Sequence, residues 1–371
     1  MSGEIEEKTE RLVRLCSQEN LGGVLINSQP NFAWLTAGGK NGVDSSRENG
    51  VATLFVRADG KRFVLANKIE MERIRTEELN GEDYEPLAFG WEEEKGNPAL
   101  ITQLARSVMT EGVSLGCDLP LGDARLIEGD IARTRYQLTA SEMDRFKSLG
   151  RDAGQAIGEL ARSLSPGVTE REVARRANDA LAAIGADAVV TLVAADERLK
   201  RFRHPLPKDA QWKKAIMIVV CARRNGLIAS LTRLVCAGPV PDELSRRTRA
   251  AAHVNAELFG ATRLGVTGRE LYEVAERAYR AEGFPGEEKL HHQGGAAGYR
   301  SRDWVAHPRC ADAVQQNQAF AWNPSITGAK VEETIIAFED HIEVITSTPG
   351  WPSIPIEVDG RAYVFPDVLS L

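Results

Sequence analysis

The chain has 371 residues, 43% of them hydrophobic and 27% charged, with a formal net charge of −7. That length suits two domains with a sizeable core, and the acidic balance argues against nucleic acid or an acidic membrane as partner. The acidic start (Met1-Ser2-Gly3-Glu4-Ile5-Glu6) lacks the basic and apolar regions of a secretory leader, and no stretch approaches the ~18 apolar residues of a membrane span.

Glu4 to Glu19 reads as an amphipathic helix with Leu12, Val13 and Cys16 on one face. A short apolar strand follows at Gly23-Val24-Leu25-Ile26. The β-rich runs 51–56 and 62–65 flank Asp59-Gly60, which predicts a hairpin. The charged loop 91–96 precedes another helix, so the first third is α/β and ends near Leu138. Thr139-Ala140-Ser141-Glu142 then reads as a capping box opening a long helix through Met143, Phe146, Leu149, Ala153, Ile157, Leu160 and Leu164.

The rest contains an internal repeat. Gly167-Val168-Thr169-Glu170-Arg171-Glu172 recurs as Gly265-Val266-Thr267-Gly268-Arg269-Glu270, each copy reading as a capping box before an amphipathic helix that ends in glycine (Gly185, Gly283). Two copies of helix–helix–strands predict a pseudo-two-fold domain. Five scattered cysteines (Cys16, Cys117, Cys221, Cys236, Cys310) form no CxxC pair, which is the pattern of buried, reduced thiols in a cytoplasmic protein.

With this repeat in view, residues 139–371 resemble the pita-bread catalytic domain of creatinases, prolidases, aminopeptidase P and methionine aminopeptidases. Asn31-Phe32-Ala33-Trp34-Leu35-Thr36-Ala37-Gly38 is similar to the Asn-x-x-Tyr-Leu-Thr-Gly stretch of creatinase and prolidase N-terminal domains. The resemblance implies an α/β (α+β) protein, with a creatinase-like N-terminal domain over 1–138 and a pita-bread domain over 139–371.

Metal-dependent relatives hold two ions with two Asp, one His and two Glu, oxygen-rich ligands that offset the paired charge. By the same resemblance, those positions fall on Val219, Ser230 (beside Thr232-Arg233), Gly295 (in Gly294-Gly295-Ala296-Ala297-Gly298), Asn323 (before Pro324) and Glu332. Only Glu332 keeps a carboxylate, so no metal and no other cofactor is expected.

His204, in Phe202-Arg203-His204-Pro205, matches the histidine that carries the proton in creatinase, and Arg302 matches a substrate-contacting histidine before Asp303. The expected catalytic residues are therefore His204 and Glu332. Expected substrate contacts are Arg203, Ser230, His292, Arg302, Asn323 and Glu333. His291 and His292 would point to opposite faces of a strand leading into the glycines, so only one should face the pocket. Arg198, Arg201 and Arg203, if turned inward, would favour a carboxylate or phosphate.

The resemblance implies a metal-independent, creatinase-like enzyme acting on a C–N bond of a small polar substrate: guanidino, amidino or amino-acid-like. The alternatives are a non-catalytic binding module and an active Xaa-Pro peptidase. It also implies a homodimer, with Phe32, Trp34, Trp91 and Trp212 as candidate contacts, while the net charge and scattered cysteines lead to the expectation of a cytoplasmic protein.

Overall fold

Alternating apolar runs become strands and the 3.6-residue patterns become helices in the computed structural model, which describes residues 2–79 and 81–371. The chain divides into two compact units, Met1–Ser141 and Glu142–Leu371.

In the first unit, α1 (Ser2–Glu19) buries Ile5, Leu12, Leu15 and Cys16, while Val13 is only half-buried. The strands are β1 (Leu21–Ser28), β2 (Asn49–Arg57), β3 (Arg62–Asn67), β4 (Glu85–Phe89), β5 (Ser114–Cys117) and β6 (Arg125–Leu126). They form one mixed sheet ordered β4-β3-β2-β1-β5-β6. The predicted hairpin joins β2 to β3 antiparallel, and Gly60 takes the left-handed φ of +87° that the turn needs. Buried Phe55 and Phe63 stack across this pair at 5.7 Å, and sealing each stabilises the unit by roughly 1.5–3 kcal/mol. The helices are α2 (Gln29–Leu35), α3 (Met71–Arg73), α4 (Trp91–Gly96), α5 (Leu100–Ser107) and α6 (Glu128–Thr134).

The Asn31 motif serves this unit's core. The Asn31 amide donates to Asp118 at 2.9 Å and Glu128 at 2.8 Å, and its oxygen accepts from Arg135 at 2.6 Å. Phe32, Trp34 and Trp212 are fully buried, which removes them as candidate partner contacts; of the four named, only Trp91 is exposed.

The second unit continues α7 (Ala140–Arg162) into α8 (Glu170–Ala183), β7 (Asp187–Ala195), α9 (Glu197–Arg201), β8 (Ala215–Arg224) and β9 (Leu227–Cys236). Then come α10 (Asp242–Ala261), α11 (Gly268–Ala281), β10 (Gly294–Ala297), β11 (Trp304–Val305), β12 (Gln318–Trp322), β13 (Ser325–Ile326), β14 (Ala329–Lys330), β15 (Glu333–Ala337) and β16 (Ile342–Val344). The hairpin of β17 (Ser353–Val358) and β18 (Arg361–Pro366), then β19 (Leu369–Ser370), complete it. Its two main sheets run β19-β9-β8-β7 and β11-β10-β12-β15-β16; β7, β8 and β9 follow the first copy of the repeat and the second sheet follows the second copy, while β19 returns from the end of the chain. Thr334 stitches them together: its hydroxyl donates to the Ser230 carbonyl at 2.9 Å and accepts from the Ser230 amide at 2.8 Å.

The two helix starts differ from the expected pair of capping boxes. Thr267 and Glu270 form a full box, but at α8 only Thr169 caps, accepting from the Glu172 amide at 3.2 Å. The Glu172 carboxylate is drawn instead to Arg175 and Arg176, at 2.9 and 2.8 Å. All five cysteines are buried and unpaired. Among the described residues, no helix is long and apolar enough to cross a membrane.

Candidate functional site

Ser230, Arg302 and Glu332 lie where β9 packs against β15 and the segment entering it. Central to the site is Glu332, 2% exposed. Its Oε2 accepts from the Thr232 hydroxyl at 2.7 Å and meets Lys330 Nζ at 2.8 Å, and its Oε1 lies 3.3 Å from Arg302 Nη2. Burial works against the carboxylate's charge, but Lys330 and then Arg302 outweigh it and hold the carboxyl down at about 2. Lys330 was not anticipated as a site residue. The available signal was its spacing: residues two apart in an extended segment share a face.

Adjacent Glu333 forms a separate pair. It meets Arg233 at 2.9 Å and accepts from the Thr346 hydroxyl, all of it buried. Burial raises its pKa despite Arg233. The expectation that Glu333 contacts substrate is corrected, because its carboxylate is committed to holding Arg233 and Thr346 in the core. Arg203 is corrected likewise. Its guanidinium binds Glu287, the Ser325 hydroxyl at 3.0 Å and the Thr327 hydroxyl at 3.0 Å, so it ties the β13–β14 hairpin in place. Arg198 pairs with buried Glu170 at 2.9 Å and Arg201 is exposed, so the cations beside Glu332 come from elsewhere in the chain.

Of three other expected contacts, Ser230 and Asn323 are buried and Arg302 is half-buried. The Ser230 hydroxyl donates to Cys221 Sγ at 3.2 Å. Asn323 keeps its backbone bond to the Gln293 carbonyl at 3.0 Å, while its side-chain oxygen is buried without a partner. Arg302 spends Nη1 on the Ser301 carbonyl at 2.5 Å, and its Nε is also buried and unpartnered. One orphan donor and one orphan acceptor therefore remain at the site.

The histidines depart from expectation most. Residues 291–293 form a bend rather than a strand, because β10 starts only at Gly294. Strand alternation does not apply there, and both His291 and His292 turn towards His204. Ring centroids are 4.8 Å apart for His204–His291, 6.1 Å for His204–His292 and 4.4 Å for His291–His292. His291 Nδ1 lies 2.5 Å from the His292 carbonyl. A carbonyl can only accept, so Nδ1 carries the proton and Nε2 presents its lone pair to His204 Nε2 at 3.0 Å. His291 is buried, whereas His204 and His292 reach solvent. Desolvation, then Lys330, lowers His291 to about 2; desolvation, then Arg302 and Lys330, lowers His292 to about 4. His204 is lowered by desolvation and Lys330, against a smaller opposing pull from Glu332. All three rings are therefore neutral near pH 7.

The donors at the five positions matched to metal ligands do not fit a two-ion centre. Val219 and Gly295 offer no side-chain donor, Ser230 and Asn323 are neutral, and Glu332 is already neutralised by Lys330 and Arg302. Backbone geometry reinforces this at Gly295, where a Cβ would lie 2.0 Å from the Trp304 carbonyl oxygen and 2.8 Å from Val305 Cα. A histidine there would require β11 to move.

Residues 144–346 match metallopeptidase family M24. In fold the chain is similar to dipeptidase PepE from Mycobacterium ulcerans, at 15% identity and a TM-score of 0.79, over 100% of this chain and 99% of that one. It is also similar to an Xaa-Pro dipeptidase from Bacillus anthracis, at 17% identity and a TM-score of 0.76, over 99% and 100%. X-Pro aminopeptidase from Thermotoga maritima MSB8 follows, at 18% identity and a TM-score of 0.75, over 98% and 99%. No curated protein matches it in sequence. The family match spans most of the second unit, with its paired sheets and duplicated helix starts, and the chain belongs to metallopeptidase family M24.

Proposed function

We propose that the second unit hydrolyses a C–N bond in a small polar substrate (guanidino, amidino or amino-acid-like) without the two-ion centre of M24 peptidases. The observation that carries this reading is the state of Glu332. Two protein cations, Lys330 at 2.8 Å and Arg302 at 3.3 Å, supply the positive charge that metal ions supply to such a carboxylate.

In this reading His204 carries the proton. Its neutral ring takes a proton from water as the water oxygen bonds to the substrate carbon. It returns that proton to the nitrogen as the C–N bond breaks. His291, its tautomer set by the His292 carbonyl, orients His204 through the Nε2–Nε2 contact. Arg302 Nε and Asn323 Oδ1 offer the substrate a donor and an acceptor that the protein leaves unmatched. Glu332 acts by holding Arg302 and Lys330 in position, a narrower role than direct contact with substrate.

The test is turnover by chelator-treated protein against a panel of guanidino, amidino and Xaa-Pro compounds. A metal-free activity that His204→Ala lowers by roughly 100-fold or more is expected. Cleavage of Xaa-Pro dipeptides only after manganese or cobalt is restored would overturn it in favour of a conventional peptidase. Substrate-like ligands that bind but are never turned over would favour a binding module.

A further inference from the structure

The three histidines form a second chemical feature that the hydrolytic reading does not use in full. They come from two separate segments, the loop after α9 and the bend before β10, and their ring nitrogens lie within 4.8 Å of one another. A tetrahedral ion bound at 2.0–2.1 Å needs donor nitrogens about 3.3 Å apart. The His204–His291 pair, at 3.0 Å, is already close to that spacing.

The remaining adjustment falls on rings able to make it. His204 and His292 reach solvent and can rotate, whereas buried His291 is pinned through Nδ1 to a backbone carbonyl. A backbone carbonyl on the far nitrogen is a common means of aiming the near nitrogen of a ligating histidine. We propose that His204, His291 and His292 together bind one divalent ion of the zinc, cobalt or nickel class. His204 and His291 would ligate through Nε2, with the exposed side left open to water or an anion.

Donor chemistry selects the ion. Three imidazoles and no carboxylate suit late first-row metals and disfavour magnesium, calcium and manganese. The open position would take water or an anionic ligand, as in other zinc sites that keep a fourth position free. This site is distinct from the M24 two-ion position, since none of its three ligands is among the five residues matched there. One consequence rests on the hydrolytic reading: an ion on His204 Nε2 displaces the hydrogen shared with His291 and leaves the ring's proton on Nδ1, the nitrogen that would otherwise accept one, so zinc would inhibit turnover.

The experiment is calorimetric titration of zinc into untagged, chelator-stripped full-length protein, with cobalt absorption as a second readout. One equivalent should bind, with cobalt giving the visible bands of a low-coordinate site. His204→Ala and His292→Ala, both at exposed positions where truncation opens no core cavity, should each weaken binding by at least about 10-fold. Binding that ignores both substitutions overturns the site, as does binding lost on Glu332→Gln but not on the histidine changes. If zinc binds with the stated histidine dependence yet leaves turnover unaffected, the metal site stands and the proton-carrying role of His204 fails.

Discussion

Lys330 and Glu332 stand two residues apart where β14 leads into β15, and the lysine ammonium lies 2.8 Å from the glutamate carboxylate, with side chains only 5% and 2% exposed. A buried ion pair of this kind contributes little net stability when intact, but losing one partner leaves the other charged in a medium that solvates it poorly. Arg302, at 3.3 Å, shares the carboxylate and softens the loss.

Lys330→Met should therefore cost about 2–4 kcal/mol, and Glu332→Gln should destabilise rather than leave the fold untouched. The double variant should cost clearly less than the sum of the two. Urea unfolding of all four proteins measures the coupling. Strictly additive costs would show that the pair does not act as a unit.

The same pair sets a pH dependence. Folded Glu332 keeps its charge down to about 2, where the unfolded chain would bind a proton near 4.5, so its contribution is complete above pH 4.5 and is lost as pH falls towards 2. Glu333, whose pKa burial raises, works in the opposite sense: its contribution is present at low pH and fades as pH rises through its folded value. Glu332→Gln should accordingly flatten the acid limb of the unfolding free energy between pH 4.5 and 2. An acid limb as steep as in the parent protein would locate the acid-sensitive groups elsewhere.

Gly295 gives a steric prediction. A Cβ there would meet the Trp304 carbonyl at 2.0 Å, and the obstructing atoms are backbone rather than a flexible side-chain tip. Gly295→Ala should destabilise the second unit by about 1–3 kcal/mol or more, measured as a shift in thermal midpoint. Gly295→His should fail to create a two-ion site even alongside Ser230→Asp and Asn323→Glu. Tight binding of two manganese ions by that triple variant would show that β11 yields more easily than this packing implies.

Homodimerisation, expected from the family resemblance, remains a proposal. Three of the four aromatic residues considered for the contact are core, which leaves Trp91, 55% exposed on the first unit. Light scattering at micromolar concentration should give twice the 40.6 kDa chain mass, and Trp91→Ser should shift the protein towards monomer. A 40.6 kDa species for the parent protein would remove the proposal.

Local physics made much of this protein legible from its sequence. The hairpin at Asp59-Gly60 depends on one glycine's φ, and the duplicated helix starts at Thr169 and Thr267 depend on side chains reaching three residues along. That Val219 and Gly295 bring no side-chain donor is likewise a matter of residue identity. Tertiary structure decided whatever depended on a partner distant in the chain. Half-buried Arg203 went to Glu287 and buried Glu333 to Arg233, because a charge drawn out of water takes the nearest opposite charge that folding provides. The bend before Gly294 undid the strand alternation assumed for His291 and His292 and brought both beside His204, 87 residues away from His291. Periodicity describes only neighbours along the backbone; a cluster drawn from two loops exists only once the sheets between them have packed.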